Sequence, residues 1–109
     1  SKAAMTNEVI DLYMAPWSTE DGKKALFRNF RRLNPEYTQA IAGELKHLAK
    51  ETLIMWAEND VFQKPAYASK LQATIPNAKL NWIKDAGHWL MEEKPEEISL
   101  HLIKFLDGK

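Results

Sequence analysis

Two side chains of this 109-residue sequence, an aspartate and a histidine, stand where acid–base chemistry could be done. Asp60 closely follows the apolar run Thr52–Ala57, and His88 follows the run Lys79–Ile83. A neutral histidine takes a proton from water or a hydroxyl when a carboxylate on its other ring nitrogen orients it and stabilises the imidazolium. The residue types therefore predict a general base with an orienting acid. The structural alternative is that Asp60 caps a turn and His88 fills a loop.

The elements that flank the pair predict that the two side chains lie at one sheet edge. Thr52–Ala57 is almost unbroken apolar, which is typical of a strand buried on both faces. Lys79–Ile83 alternates and predicts a second strand nearer to an edge. Between them, Pro65 opens one predicted helix, so the two strands are expected to be parallel. In open α/β sheets, catalytic and ligand-binding residues lie just past the carboxyl ends of the strands.

The chain changes character near residue 50, which predicts a helical segment over 1–50 and a β-α-β-α segment over 51–109. Three helices are expected in the first segment. The first is capped by Thr6 and runs to Met14, where Ala15-Pro16 ends it. The second is capped by Ser18 or Thr19 and has a buried stripe of Leu26, Phe30 and Leu33, and the third begins at Pro35. A final helix is expected from Pro95. Two parallel strands cannot bury both faces of the first one, so the sheet is expected to be incomplete in this chain.

The composition excludes several classes of function. Fifteen basic and fifteen acidic residues cancel, so there is no electrostatic reason to expect a nucleic acid or an anionic membrane as partner. No apolar run approaches the roughly 20 residues of a membrane helix. The absence of cysteine excludes disulfides and thiolate metal sites and is compatible with a cytoplasmic location. His47 has no partner at ligand spacing, so we expect no metal and no cofactor.

The stretch TLIMWAEND, followed by NAKLNWIKDAGHWLMEEKPEEISLHLIKFL, resembles the C-terminal end of an α/β-hydrolase. In that family the turn after a buried strand holds the acid of a catalytic triad, and a Gly-His element after the next strand holds the base. The resemblance assigns these roles to Asp60 and His88, with Ala57 standing where the family usually has glycine. Gly87 is expected to permit a loop conformation that other residues cannot adopt.

The segment VIDLYMAPWSTEDGKKALF is similar to the end of the cap domain in the haloalkane dehalogenase and epoxide hydrolase branches of that family. This similarity implies a small neutral organic substrate in the complete enzyme. Trp17 and Trp89 are then candidate substrate-binding residues, with packing as the alternative for both. Glu92 and Glu93 are interpreted as a solvated acidic pair ahead of the last helix.

The group that attacks the substrate is missing from the sequence. A nucleophile of this family sits on a strained elbow such as G-x-S-x-G, and the glycines at 22, 43, 87 and 108 form no such pattern. One hypothesis is a C-terminal portion of a hydrolase that supplies acid and base, is inactive alone and is completed by a missing N-terminal half. The other is a catalytically inactive truncated module that forms homo-oligomers or binds a partner through exposed sheet edges.

Overall fold

A computed structural model describes residues 5–108 of the chain. These residues form two compact units that divide between Gly43 and Glu44. We call residues 5–43 the helical unit and residues 44–108 the α/β unit. In chain order the elements are α1 Asn7–Met14, a 3-10 helix Ala15–Trp17, α2 Glu20–Arg31, α3 Glu36–Ala42, a 3-10 helix Gly43–His47, β1 Thr52–Ala57, α4 Ala66–Thr74, β2 Ala78–Ile83, α5 Leu90–Glu93 and α6 Pro95–Leu106.

The helices of the helical unit begin at the predicted caps. The hydroxyl of Thr6 accepts the N–H of Val9 at 3.3 Å, and the hydroxyl of Thr19 accepts the N–H of Gly22 at 3.1 Å. Each bond satisfies one of the amides that a helix start leaves without a partner. Side chains three residues away therefore determine where α1 and α2 begin.

The first helix ends at Met14, as predicted, and the chain continues from Ala15 into a 3-10 helix, at whose start the missing N–H of Pro16 is not needed. The prediction of a buried stripe is wrong, because only Leu26 is half-buried, whereas Phe30 is 62% accessible and Leu33, beyond the end of α2, is 73% accessible. Within this unit α2 packs mainly against the short 3-10 helix, which is too small to cover that stripe.

The α/β unit contains the predicted parallel strand pair. β1 and β2 are hydrogen-bonded in parallel, with register from Thr52↔Ala78 to Ala57↔Ile83, and α4 forms the crossover. The register brings both strands to an end at the same edge of the sheet. The loops that carry the candidate acid and base therefore leave the sheet side by side.

The core of the α/β unit lies beneath those loops and consists of Ala57, Ile83, Ala86 and Ile98. β1 is only partly buried, with Ile54 and Ala57 as its two buried residues, which agrees with the prediction of an incomplete sheet. The reason is that the described residues contribute two strands to the sheet, which leaves part of β1 uncovered. No helix within residues 5–108 is long and apolar enough to cross a membrane.

Candidate catalytic acid–base site

Hydrogen bonds hold Asp60 in the turn after β1. One carboxylate oxygen, Oδ1, accepts the backbone N–H groups of Phe62 and Gln63 at 2.9 and 2.8 Å. The indole N–H of Trp56, a residue of β1, donates to the carbonyl of Gln63 at 3.2 Å and ties the turn to the strand. An aspartate that accepts amides two and three residues ahead is an Asx turn, which short polar side chains form readily. The side chain of Asp60 is only 7% exposed.

The loop after β2 carries His88 and is anchored through Ala86 and Gly87. Asp85 has a φ of 51°, a left-handed conformation that aspartate tolerates better than most residues. Ala86 is 2% exposed and belongs to the core. The N–H of Gly87 donates to Oε2 of Glu93 at 3.1 Å. The side chain of His88 remains 38% exposed.

The two loops meet in a hydrogen bond between residues 28 positions apart. Nδ1 of His88 lies 3.0 Å from Oδ2 of Asp60. The predicted proximity of the two side chains is therefore present in the structure. The two carboxylate oxygens have different partners, because Oδ1 accepts amides of its own turn while Oδ2 contacts the imidazole. The prediction that Asp60 caps a turn and the prediction that it pairs with His88 therefore both hold for its position in the structure.

Electrostatics determine which nitrogen of His88 carries the proton. Burial raises the pKa of Asp60, but the N–H of Gln63, the side chain of His88 and the N–H of Phe62 together hold that pKa below its ordinary value of 3.8. Asp60 is then an ionised group near neutral pH and can only accept hydrogen bonds. Nδ1 must therefore donate, and in the neutral imidazole Nε2 is left as the acceptor.

Two aromatic rings flank the imidazole of His88. The ring of Phe62 lies 5.3 Å away and tilted by 59°, and the ring of Trp89 lies 5.7 Å away at 82°, an edge-to-face contact. A cavity of about 150 Å³ opens beside the pair and is lined in part by the apolar side chains of Met55, Trp56 and Leu90. Asp60 and His88 line the same cavity, so the pair faces a space that is partly apolar.

The other sequence-based assignments have mixed outcomes. Trp89 contacts His88, whereas Trp17 lies in the helical unit, and substrate binding by either residue stays a prediction. The interpretation of Glu93 as solvated is wrong, because it is half-buried and accepts the N–H of Gly87. Phe62 was not anticipated, although an aromatic residue two positions after a candidate acid was a usable signal. Within residues 5–108 there is no group of three His, Asp or Glu side chains that could hold a metal ion.

Comparison with known proteins places these observations in a family. The uncharacterized hydrolase YugF of Bacillus subtilis is 33% identical over 109 residues, which cover 96% of this chain and 37% of YugF. Bifunctional epoxide hydrolase 2 of Sus scrofa is 29% identical over 107 residues, covering 94% of this chain and 18% of that protein. The chain therefore spans well under half the length of these relatives.

A solved structure gives the same result for the fold. The α/β hydrolase enzyme MGS-MChE2, from a metagenome of lagoon sediments in Morocco, superposes with a TM-score of 0.69 at 26% identity, over 94% of this chain and 45% of that one. The sequence model described as the alpha/beta hydrolase fold matches residues 2–95. The chain belongs to the α/β-hydrolase family.

Proposed function

We propose that this chain supplies the acid and the base of a hydrolase active site. The single observation that supports this most is the 3.0 Å bond between Nδ1 of His88 and Oδ2 of the ionised, nearly buried Asp60. Ring orientation and imidazolium stabilisation are the two things that a histidine base requires from a carboxylate. Nε2 then takes a proton from an attacking hydroxyl or water, and Asp60 stabilises the imidazolium that forms.

The nucleophile is provided by residues outside these 109, in this proposal. The family holds it on an elbow between a strand and a helix, and the sequence has no such pattern around its glycines. The chain alone is therefore expected to be inactive. The residues that complete the site belong to an N-terminal half or to another chain.

The substrate class in this proposal is a small neutral organic molecule. The similarity to bifunctional epoxide hydrolase 2 supports the epoxide hydrolase branch, and the haloalkane dehalogenase branch remains the alternative on the cap-like segment. The apolar part of the cavity lining and the rings of Phe62 and Trp89 suit an uncharged substrate, since a charge buried against them would be costly. A cytoplasmic location stays a prediction.

A second candidate is an inactive module that self-associates or binds a partner. The observation that favours it is exposed apolar surface on α6, where Leu102 is 43%, Ile103 is 56% and Leu106 is 72% accessible. Each of the two strands also has one neighbour within residues 5–108, which leaves an edge of each open for pairing. Size measurement in solution tests the self-associating form of this candidate, because that form requires a dimer or a larger assembly.

A chimera tests the proposed function. The 107-residue region of porcine bifunctional epoxide hydrolase 2 that aligns with this chain is replaced by the chain, and epoxide turnover is measured. We expect turnover that His88→Ala lowers at least about a thousandfold and that Asp60→Asn also lowers strongly. His47→Ala is the matched control, because His47 is an exposed histidine of the same unit.

Two results would contradict the proposal. One is a folded, active chimera in which His88→Ala turns over substrate as fast as His47→Ala. The other is clear turnover of an epoxide, ester or haloalkane by the 109-residue chain alone, lost in its own His88→Ala variant. Circular dichroism of each chimera shows that the variants compared are folded.

A further inference from the structure

The carboxylate of Glu93 bends back on the loop that carries His88. Its Oε2 accepts the N–H of Gly87, the residue directly before His88, at 3.1 Å. The backbone N–H of Glu93 also donates to the carbonyl of Trp89, the residue directly after His88, at 3.0 Å. One residue of α5 thus holds the chain on both sides of the candidate base.

The identity of residue 87 follows from the same contact. Its φ lies outside the left-handed region, so the expectation that glycine is needed there for a special backbone conformation is wrong. A Cβ built on Gly87 would lie 3.1 Å from Oε1 of Glu93, closer than ordinary contacts. Glycine at this position therefore makes space for the carboxylate. The left-handed residue of the loop is Asp85 instead.

We infer that Glu93 is a positioning residue for His88. Asp60 holds the imidazole from its Nδ1 side, and Glu93 holds the backbone from which that imidazole extends. Loss of the Glu93 bond leaves Gly87 free to rotate, and the ring then leaves Oδ2 of Asp60 for part of the time. A hydrogen bond to a charged acceptor is among the stronger kinds, which makes this brace effective. The consequence for catalysis rests on the proposed function, whereas the positioning itself does not.

The tautomer of His88 reports the positioning directly. In the 15N-labelled 109-residue chain, long-range nitrogen–proton correlation spectra give the ratio of the Nδ1–H to the Nε2–H form for each histidine. The bond to Asp60 favours the Nδ1–H form of His88. We expect Glu93→Ala to lower that ratio about tenfold, as the loss of one charge-assisted bond implies.

A graded set of variants separates positioning from general destabilisation. Glu93→Gln keeps an acceptor oxygen and is expected to stay within about threefold of the unmodified chain. Gly87→Ala pushes the carboxylate by a few tenths of an ångström and is expected to fall between the two. Glu96→Ala, at an exposed glutamate in the first turn of α6, is the matched control and should change nothing.

The inference is overturned if Glu93→Ala leaves the His88 tautomer ratio unchanged while the chain stays folded. It is also overturned if the ratio changes only in proportion to the unfolded fraction, since Glu93 would then act on the fold and not on His88. The chimera separates this result from the proposed function. There Glu93→Ala should lower kcat with little change in KM, and Glu93→Gln should restore it. An active chimera in which His88→Ala turns over substrate as fast as His47→Ala, while the tautomer effect persists, would refute the function alone.

Discussion

The helical unit and the α/β unit differ in how far along the chain their hydrogen bonds reach. In the helical unit, Thr6 and Thr19 bond to amides three residues away. In the α/β unit, the side chain of Asn77 donates to the carbonyl of Ala49, and His88 contacts Asp60, each across 28 residues. The first unit is therefore organised by local sequence, and the second by the pairing of distant segments.

Burial follows the same division. Among residues 5–43 no residue is buried, whereas the α/β unit contains a fully buried isoleucine, Ile83, within its core cluster. Isolated helices gain little stability from propensity alone and depend on packing of their apolar faces. The helical unit should thus open locally at low free energy, while the site lies on the better-packed half. A site that needs two loops held to within tenths of an ångström is expected there.

The largest expected effect comes from truncating the core beneath the site. Ile83→Ala should lower the free energy of unfolding by about 2–5 kcal/mol, because a buried isoleucine loses its packing and leaves a cavity. Ile41→Ala in α3 is the matched control, since Ile41 is 60% exposed, and should cost no more than about 0.5 kcal/mol. Urea unfolding followed by circular dichroism measures both. Equal losses in the two variants would contradict the contrast in burial.

The next effect tests the helical unit at its tightest point. A Cβ on Gly22 would lie 2.1 Å from the carbonyl oxygen of Pro16, so Gly22→Ala should destabilise by about 1–3 kcal/mol. Gly43→Ala should have the opposite sign, because Gly43 has right-handed helical φ and ψ angles and nothing within 4 Å. A gain of about 0.4–1 kcal/mol is expected there. Thermal unfolding of the two variants gives the comparison, and a loss at both positions would contradict it.

The smallest effect concerns charge at the site and depends on pH. The folded chain lowers the pKa of Asp60 below 3.8, so its carboxylate adds stability above that pH, and this stability is lost as the pH falls through the folded pKa. Asp60→Asn should therefore cost about 1 kcal/mol at pH 6, since asparagine still offers one acceptor, and progressively less below pH 4. Urea titrations at pH 6 and pH 3 measure the difference. A cost independent of pH would mean that ionisation of Asp60 contributes nothing.

Much of the α/β unit could be predicted from residue patterns. β1 has the expected bounds, β2 begins one residue earlier, and α6 begins at Pro95 as expected. The parallel pairing could also be predicted, because a single crossover helix permits little else. Exposure could not be predicted, as Phe30 and Leu33 show. An apolar stripe shows which face of a helix can be buried, but the neighbouring elements decide whether that face is buried.

By itself the sequence determined where helices and strands begin, since caps, prolines and apolar periodicity act within a few residues. It also determined that Asp60 and His88 leave the same edge of the sheet. Only the tertiary structure decided that Asp60 serves its own turn with one oxygen and His88 with the other, and that Glu93 reaches back to Gly87. These contacts depend on positions to within tenths of an ångström. Such positions follow from the packing of loops on the core and not from spacing along the chain.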